Sequence, residues 1–476
     1  MTSADLTGRR PAPSASHPVA TSPLPVRRVP GWWRDASAAL LWAVLLYVTV
    51  LWVLGGGASD LGSVAGVLTS SGRLTGLLAS ALLLVQVFLM ARVPWFEQAW
   101  GQDGLARLHR TVGFTSFNLL WAHILLITLG YAAASPQGLW GTVVDLVVDY
   151  PGMLLAVAGT VALCLVVATS VRRARARLRY ESWHLIHLYG YLGAGLVLPH
   201  QLWTGQEFLT SAFATAFWWG LYAAAAGAVL AFRVALPLWR SLRAPLVVGS
   251  VRPEGPAATT VTVTGPGVGR LRVLPGQFLV WRFRDGPGWT RGHPYSLSAA
   301  PTGDTLRITV KVLGDASRGI AHVRPGTRVA IEGPYGRLHD GVRTRRKVLL
   351  LAGGIGVTPL RGLLEALPQD AGDVTLVYRA SHEGDLILKD EIEALADARG
   401  AQVFYAVGPR VGDRHSWLPQ AAAGLSDEDA LRQLVPDVAD RDVYVCGADG
   451  WMDAAERALL AVGVPGDAIH LERFSW

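Results

Sequence analysis

Arg107–His123 reads RLHRTVGFTSFNLLWAH, and Trp183–His200 reads WHLIHLYGYLGAGLVLPH. Both lie in long apolar runs that carry histidines: His109 and His123 in the first, His184, His187 and His200 in the second. Imidazole is costly to bury in lipid without a partner, so histidines inside apolar spans are functional candidates. Neutral imidazoles held between two helices suit axial ligation of haem iron. His109 and His123 are 14 positions apart. At 3.6 residues per turn they share one helix face, about 21 Å apart along the axis. His200 is 13 positions from His187 and 16 from His184. At about 100° per residue neither pair shares a face of a straight helix. Pro199, Gly190, Gly193 and Gly195 supply the means to distort it. Two pairs at matched depth read as two stacked cofactor sites. The plainer alternative, histidines that only hydrogen-bond between helices, suits a single histidine better.

The rest of the first half supports a membrane setting. The 476 residues are 51% hydrophobic and 17% charged, enough for two to four domains. Residues 1–35 are mostly Pro, Ala, Ser and Arg and read as a disordered cytosolic tail, with no signal-peptide core. Six apolar runs follow, at about 36–55, 74–93, 111–131, 152–170, 183–202 and 212–236. Each is near the roughly 20 residues that span a bilayer. Arginines crowd alternate loops: Arg27, Arg28 and Arg34; Arg92, Arg107 and Arg110; Arg172–Arg179; Arg240 and Arg243. The other loops carry Asp60, Asp145, Asp149 and Glu207, with Arg73 the main exception. Basic loops stay inside, so both termini are expected to be cytosolic in a multi-pass protein of the cytoplasmic membrane. That places His109 and His187 toward the cytosol, and His123 and His200 toward the outside. The net charge of +7 fits arginines flanking a bilayer; no basic, aromatic-interleaved patch or zinc pattern suggests nucleic acid as a partner. Cys164 and Cys446 are expected in different compartments and unpaired.

After Leu236 the composition becomes that of a soluble protein. TTVTVTG (Thr259–Gly265), FLVWRF (Phe278–Phe283), TLRITVKV (Thr305–Val312) and TRVAIEG (Thr327–Gly333) predict a small antiparallel barrel. From Arg345 strands and helices alternate, beginning with VLLLA (Val348–Ala352), which predicts a parallel α/β nucleotide-binding domain. GGIGVTP (Gly353–Pro359) follows that strand and opens a helix, where backbone approaches a pyrophosphate closely. At the end of the next strand Arg379 stands where an NAD site often has an acid. It would suit a 2′-phosphate and tips the reading toward NADPH over NADH; an ordinary exposed arginine is the competing reading.

HPYSLS (His293–Ser298), GPYG (Gly333–Gly336), GGIGVTP, VCG (Val445–Gly447) and the final ERFSW together resemble the ferredoxin–NADP reductase superfamily. Behind six apolar runs with paired histidines, the chain from about 36 to 476 resembles the ferric reductase/NADPH oxidase family. The family's histidine spacings of 14 and 13 select His187 over His184. The resemblance implies four domains: the tail 1–35, a six-helix di-haem transmembrane domain 36–240, an FAD-binding barrel 241–340 and an NAD(P)-binding α/β domain 341–476. It implies His109, His123, His187 and His200 as ligands of two b-type haems. Tyr295 is expected to pack on the flavin, Ser296 to hydrogen-bond near its reactive nitrogen, and His293 to contact its phosphate or ribitol region, with Pro294 shaping the loop. Lys311 and Ser317, in the turn Gly314–Gly319, are expected to reach the FAD pyrophosphate. Gly353, Gly354, Gly356, Thr358 and Pro359 are expected to cradle the nucleotide, and Cys446 and Gly447 to border the nicotinamide. Phe474 or Trp476 is expected to cover the flavin, with Trp476 preferred.

The implied activity is electron transfer from cytosolic NADPH through FAD and the haems to oxygen or a ferric chelate outside. Two other readings compete: an electron-transfer subunit reducing a partner protein, and a transporter whose cytosolic domain senses nucleotide. No calcium-binding loop appears, and homo-oligomerisation stays open.

Overall fold

The computed structural model describes residues 7–9 and 29–473, apart from Ala176, Arg179, Thr210 and Pro287. Most of the expected N-terminal tail, and the candidates Phe474 and Trp476, lie outside the described residues. The chain divides into a helical unit within residues 31–234 and a β-rich unit formed mainly by 235–475.

The helical unit contains α1 (Trp32–Leu54), α2 (Val64–Leu89), α3 (Pro94–Ala134), α4 (Gly138–Val148), α5 (Met153–Ser170), α6 (Tyr180–Leu196), α7 (Leu198–Thr204) and α8 (Ala212–Val229). Ser63 and Ser211 cap α2 and α8, each accepting a hydrogen bond from a backbone N–H in the first turn. α3 reaches 41 residues because Gly101, at φ 69°, lets the chain kink between two helical stretches. Among the described residues five helices are long and apolar enough to cross a membrane: α1, α2, α3, α5 and the run Ala212–Arg243. The expected span 183–202 is not one continuous helix. α6 stops at Leu196 and α7 begins at Leu198, with Pro199 in its first turn. Proline has no N–H to bond back to the preceding turn.

α5 packs on α6 through glycine: a Cβ on Gly159 would lie 2.9 Å from the Gly193 carbonyl oxygen. Without water to drive helices together, close backbone approach supplies the packing energy. Arg73, the exception in the loop-charge pattern, is neutralised in place. Its guanidinium pairs with buried Glu207 and, at 3.0 Å, with Asp60.

In the β-rich unit, β1 (Thr7–Arg9) and α9 (Leu236–Arg243) precede the main body. β2 (Leu246–Glu254), β3 (Ala258–Thr264), β4 (Phe278–Phe283), β5 (His293–Ser296), β6 (Thr305–Lys311) and β7 (Arg328–Tyr335) form an antiparallel sheet in the order β5-β4-β7-β2-β3-β6. A bridge between Leu297 and Ile308 joins the two ends of that order. Val261, Val263, Trp281 and Ile308 fill its interior. HPYSLS is strand through Ser296.

β8 (Val348–Gly353), β9 (Val374–Ala380), β10 (Gln402–Val407), β11 (Asp442–Cys446) and β12 (Ile469–Glu472) make a parallel sheet ordered β10-β9-β8-β11-β12. β1 adds antiparallel to the β10 edge, so residues 7–9 of the expected tail are ordered into a strand. The helices α10 (Val357–Ala366), α11 (Lys389–Arg399), α12 (Asp427–Leu434) and α13 (Asp449–Ala461) cover the sheet. Leu350 enters one core, and Leu349 and Leu351 the other, which explains a strand apolar at every position. The two sheets of this unit are tied by charge: Arg307 on β6 makes two hydrogen bonds to Glu391 on α11, at 2.7 and 2.9 Å, and Arg361 reaches the same carboxylate at 3.1 Å.

Candidate functional site

In the helical unit His187 stands beside His109. Its ring faces His109 with centroids 6.0 Å apart and planes inclined by 57°. An ion about 2 Å from each ligating nitrogen separates two imidazole centroids by about 6 Å, so the pair fits a metal between them.

Each of the four has an anchored Nδ1. His109 Nδ1 is 3.1 Å from the carbonyl oxygen of Gln86, and His123 Nδ1 is 2.8 Å from that of Gly72. A carbonyl only accepts, so both Nδ1 atoms carry the hydrogen and both Nε2 atoms keep the lone pair a metal needs. Gln86 and Gly72 are 14 apart on α2, the same interval as the two histidines on α3. One helix thus presents a register of acceptors to the other. Gly76 makes room for this: a Cβ there would lie 2.5 Å from His123 Nδ1. His200 Nδ1 lies 2.8 Å from Thr204 Oγ1, and His187 Nδ1 lies 3.3 Å from Ser170 Oγ. His187 and His200 ride on two helical segments, α6 and α7, that meet at Val197.

In the β-rich unit, β5 sets His293, Pro294, Tyr295 and Ser296 against β4. Ser296 is 5% exposed and its Oγ has no protein hydrogen-bond partner. Buried hydroxyls are normally satisfied, and a flavin ring nitrogen or oxygen fits this one. The Tyr295 and His293 rings stack at 6.3 Å. Burial pushes the Tyr295 phenol up to about 12, so it stays protonated.

Two expected pyrophosphate contacts are already engaged. Lys311 Nζ pairs with Asp385 at 2.9 Å. Ser317 closes its own turn: its hydroxyl accepts from the Leu313 and Gly314 N–H groups and donates to the Gly314 carbonyl.

The nucleotide turn is tight. Gly354 sits at φ 55°. A Cβ on Gly356 would lie 2.0 Å from the Cys446 carbonyl oxygen, and Cβ atoms on Gly353 and Gly447 would press into the Trp451 ring at 2.8 and 2.7 Å. Thr358 Oγ1 donates to the Ile355 carbonyl at 3.0 Å, and Pro359 is buried in the first turn of α10. The Cys446 thiol is fully buried, which pushes its pKa well up. Its backbone is what faces the turn.

Arg379 corrects the sequence reading. Its guanidinium is turned inward to the carbonyls of Ala380, Ala406 and Pro409 and is 5% exposed. Three carbonyl acceptors outcompete solvent for five N–H donors at the end of a buried strand.

Sequence reading missed Gln86, Gly72, Ser170, Thr204 and Trp451. Only Thr204 had a local signal, four positions after His200 on one helix face.

Residues 75–198 match the ferric reductase like transmembrane component family, and residues 350–457 match the oxidoreductase NAD-binding domain family. The first match spans His109, His123 and His187. The second spans the glycine turn and Cys446. A ferredoxin reductase component of 3-ketosteroid-9-alpha-monooxygenase from Mycobacterium tuberculosis is 34% identical over 213 residues, 43% of this chain and 56% of the relative. A flavohemoprotein from a Burkholderia species is 31% identical over 245 residues, 50% of this chain and 60% of the relative. The chain thus spans little more than half the length of these curated relatives. The FAD/NAD-binding domain of a Vibrio cholerae nitric oxide dioxygenase aligns with 48% of this chain and 98% of its own length, at TM-score 0.41 and 26% identity. The chain thus joins a segment matching a ferric reductase like transmembrane component to one matching an oxidoreductase NAD-binding domain.

Proposed function

We propose that this chain is a membrane oxidoreductase that moves electrons from a cytosolic nicotinamide nucleotide to an acceptor on the other side of the bilayer. Bound FAD would turn hydride transfer into single-electron transfer, and two b-type haems would relay the electrons. Around them the chain's residues position and tune. Ser296 offers its unpartnered hydroxyl to the flavin ring, and Tyr295 gives it an apolar face. The Gly353–Gly356 turn presents N–H groups at the start of α10 to a pyrophosphate. His109 with His187, and His123 with His200, would hold the irons from both sides. Ligation by two histidines would favour outer-sphere reduction of the acceptor.

The observation that carries this reading is the His109–His187 pair, 6.0 Å apart, each Nδ1 tethered, in a unit with five helices able to cross a membrane. The arginine-rich loops support a cytosolic placement of the β-rich unit and both termini in the cytoplasmic membrane. With Arg379 turned inward, either NADPH or NADH serves as donor in this proposal.

The test is purified protein supplied with FAD and haem. Nicotinamide nucleotide added without oxygen should reduce a b-type haem spectrum; protein that binds no haem sinks the proposal. Cytochrome c reduction in air, with and without superoxide dismutase, then separates oxygen from ferric chelates as acceptor. Dismutase abolishes the signal only if superoxide is the product. The relative's designation as a ferredoxin reductase component favours a second reading, in which the acceptor is a partner protein. Haem reduced by nucleotide but inert to both oxygen and ferric chelates would establish it.

A further inference from the structure

We infer that Thr204 and Ser170 are positioning residues that set the ligating tautomer of His200 and His187. The inference rests on the haem reading above and adds to it what holds the second ligand of each pair.

Proton counting carries the argument. The Thr204 hydroxyl has one hydrogen and donates it to the His200 carbonyl oxygen at 2.7 Å. The same oxygen lies 2.8 Å from His200 Nδ1. With its own hydrogen committed, it can only accept there, so His200 carries its hydrogen on Nδ1 and keeps the Nε2 lone pair free. Ser170 repeats the logic on another helix. Its hydroxyl donates to the Val166 carbonyl at 2.7 Å and accepts from Trp183 Nε1 at 3.3 Å. His187 Nδ1, also at 3.3 Å, must therefore be a second donor to that oxygen. Both lone pairs are then used. In each case a hydroxyl bonded back to its own helix is converted into a pure acceptor aimed at an imidazole.

The consequence is an asymmetry within each pair. The α3 histidines are oriented by backbone carbonyls, which no substitution removes. The α6 and α7 histidines depend on one side-chain hydroxyl each. The two hydroxyls also differ in strength. Thr204 serves His200 alone, at 2.8 Å; Ser170 is shared with Trp183, at 3.3 Å.

The experiment uses the full chain loaded with haem, read by haem content, midpoint potentials and the low-spin ligand-field signature of each haem. Thr204→Val keeps the shape and removes the acceptor. It should weaken haem retention at one site by about 10–100-fold, as loss of an outer-shell partner does. It should also raise that haem's potential, because a histidine without an Nδ1–H acceptor is a weaker donor to ferric iron. Thr204→Ser should restore both. Ser170→Ala should act on the other haem, with a smaller effect. Wild-type content and potentials in Thr204→Val would overturn the inference, as would equal loss in Thr204→Val and Thr204→Ser, which would mean packing alone. A wild-type protein that binds no haem would instead overturn the parent reading.

Discussion

In the helical unit each candidate ligand is a side chain tied to a partner on the same or another helix: His123 to Gly72, His109 to Gln86, His200 to Thr204. In the β-rich unit the nucleotide turn is almost all backbone, with glycines pressed against Cys446 and Trp451 where a Cβ would not fit. The difference follows from the medium and the ligand. Inside a bilayer, helix backbone is satisfied internally and has little to offer a cofactor, so chemistry falls to a few polar side chains. At a strand–turn–helix junction the free N–H groups of the first helical turn do the binding, and side chains are mostly in the way. The helical unit should therefore be vulnerable at single side chains that carry chemistry, and the β-rich unit at glycines that carry none.

The comparison breaks most visibly at His123. His123→Ala should abolish one of two haems, cutting haem per protein by about half, while nucleotide-to-flavin transfer persists. Unchanged haem content would remove His123 from the ligand set.

Gly356→Ala tests the other side. A methyl 2.0 Å from the Cys446 oxygen must displace backbone, and overpacking of this kind costs about 1–3 kcal/mol or more. Nucleotide affinity should fall steeply while the haem spectrum stays intact, as titration with nucleotide and a reduced haem spectrum would show together.

Acid should loosen the β-rich unit. Burial, with Arg337 and His470 nearby, lowers His339 from 6.5 to about 4. Between those values the unfolded chain binds a proton that the folded one refuses, so stability falls as pH drops, by about 3 kcal/mol at most. Protection factors at β8 and β11, which correct hydrogen exchange for its intrinsic pH dependence, should fall from pH 7 to 4.5, and His339→Gln should flatten that dependence.

Arg379→Ala should cost about 1–3 kcal/mol of stability through the loss of three charge-assisted hydrogen bonds to carbonyls, without changing the ratio of NADPH to NADH turnover. A changed ratio would mean that the side chain reaches the nucleotide.

The smallest effect sharpens the contrast within the β-rich unit. Ser296→Ala removes a hydroxyl with no protein partner, so thermal stability without flavin should hold or rise slightly. FAD affinity should drop by up to about tenfold, measured by fluorescence titration.

Much was legible before any coordinates. The interval of 14 between His109 and His123 states a shared helix face, because helical periodicity is a local property of the chain. The run Phe278–Phe283 coincides with β4, Val348–Ala352 falls within β8, and the glycine turn sits between β8 and α10 where the sequence puts it. These are consequences of alternation, propensity and turn chemistry acting within a few residues.

The partners were not legible. His123 meets a carbonyl 51 residues away, Arg73 a carboxylate 134 away, and Lys311 an aspartate 74 away. Arg379 looks exposed at a strand end and is buried because β10 and the turn after it bring two of its three carbonyl partners. That the His187 ring faces the His109 ring is likewise a product of packing between helices. By itself the sequence determined which elements form and which residue types they carry, since those follow from interactions within a turn or a strand. Only the tertiary structure decided which hydrogen bond each polar side chain makes. A buried donor takes whichever acceptor packing delivers to it, and packing is a property of the whole chain.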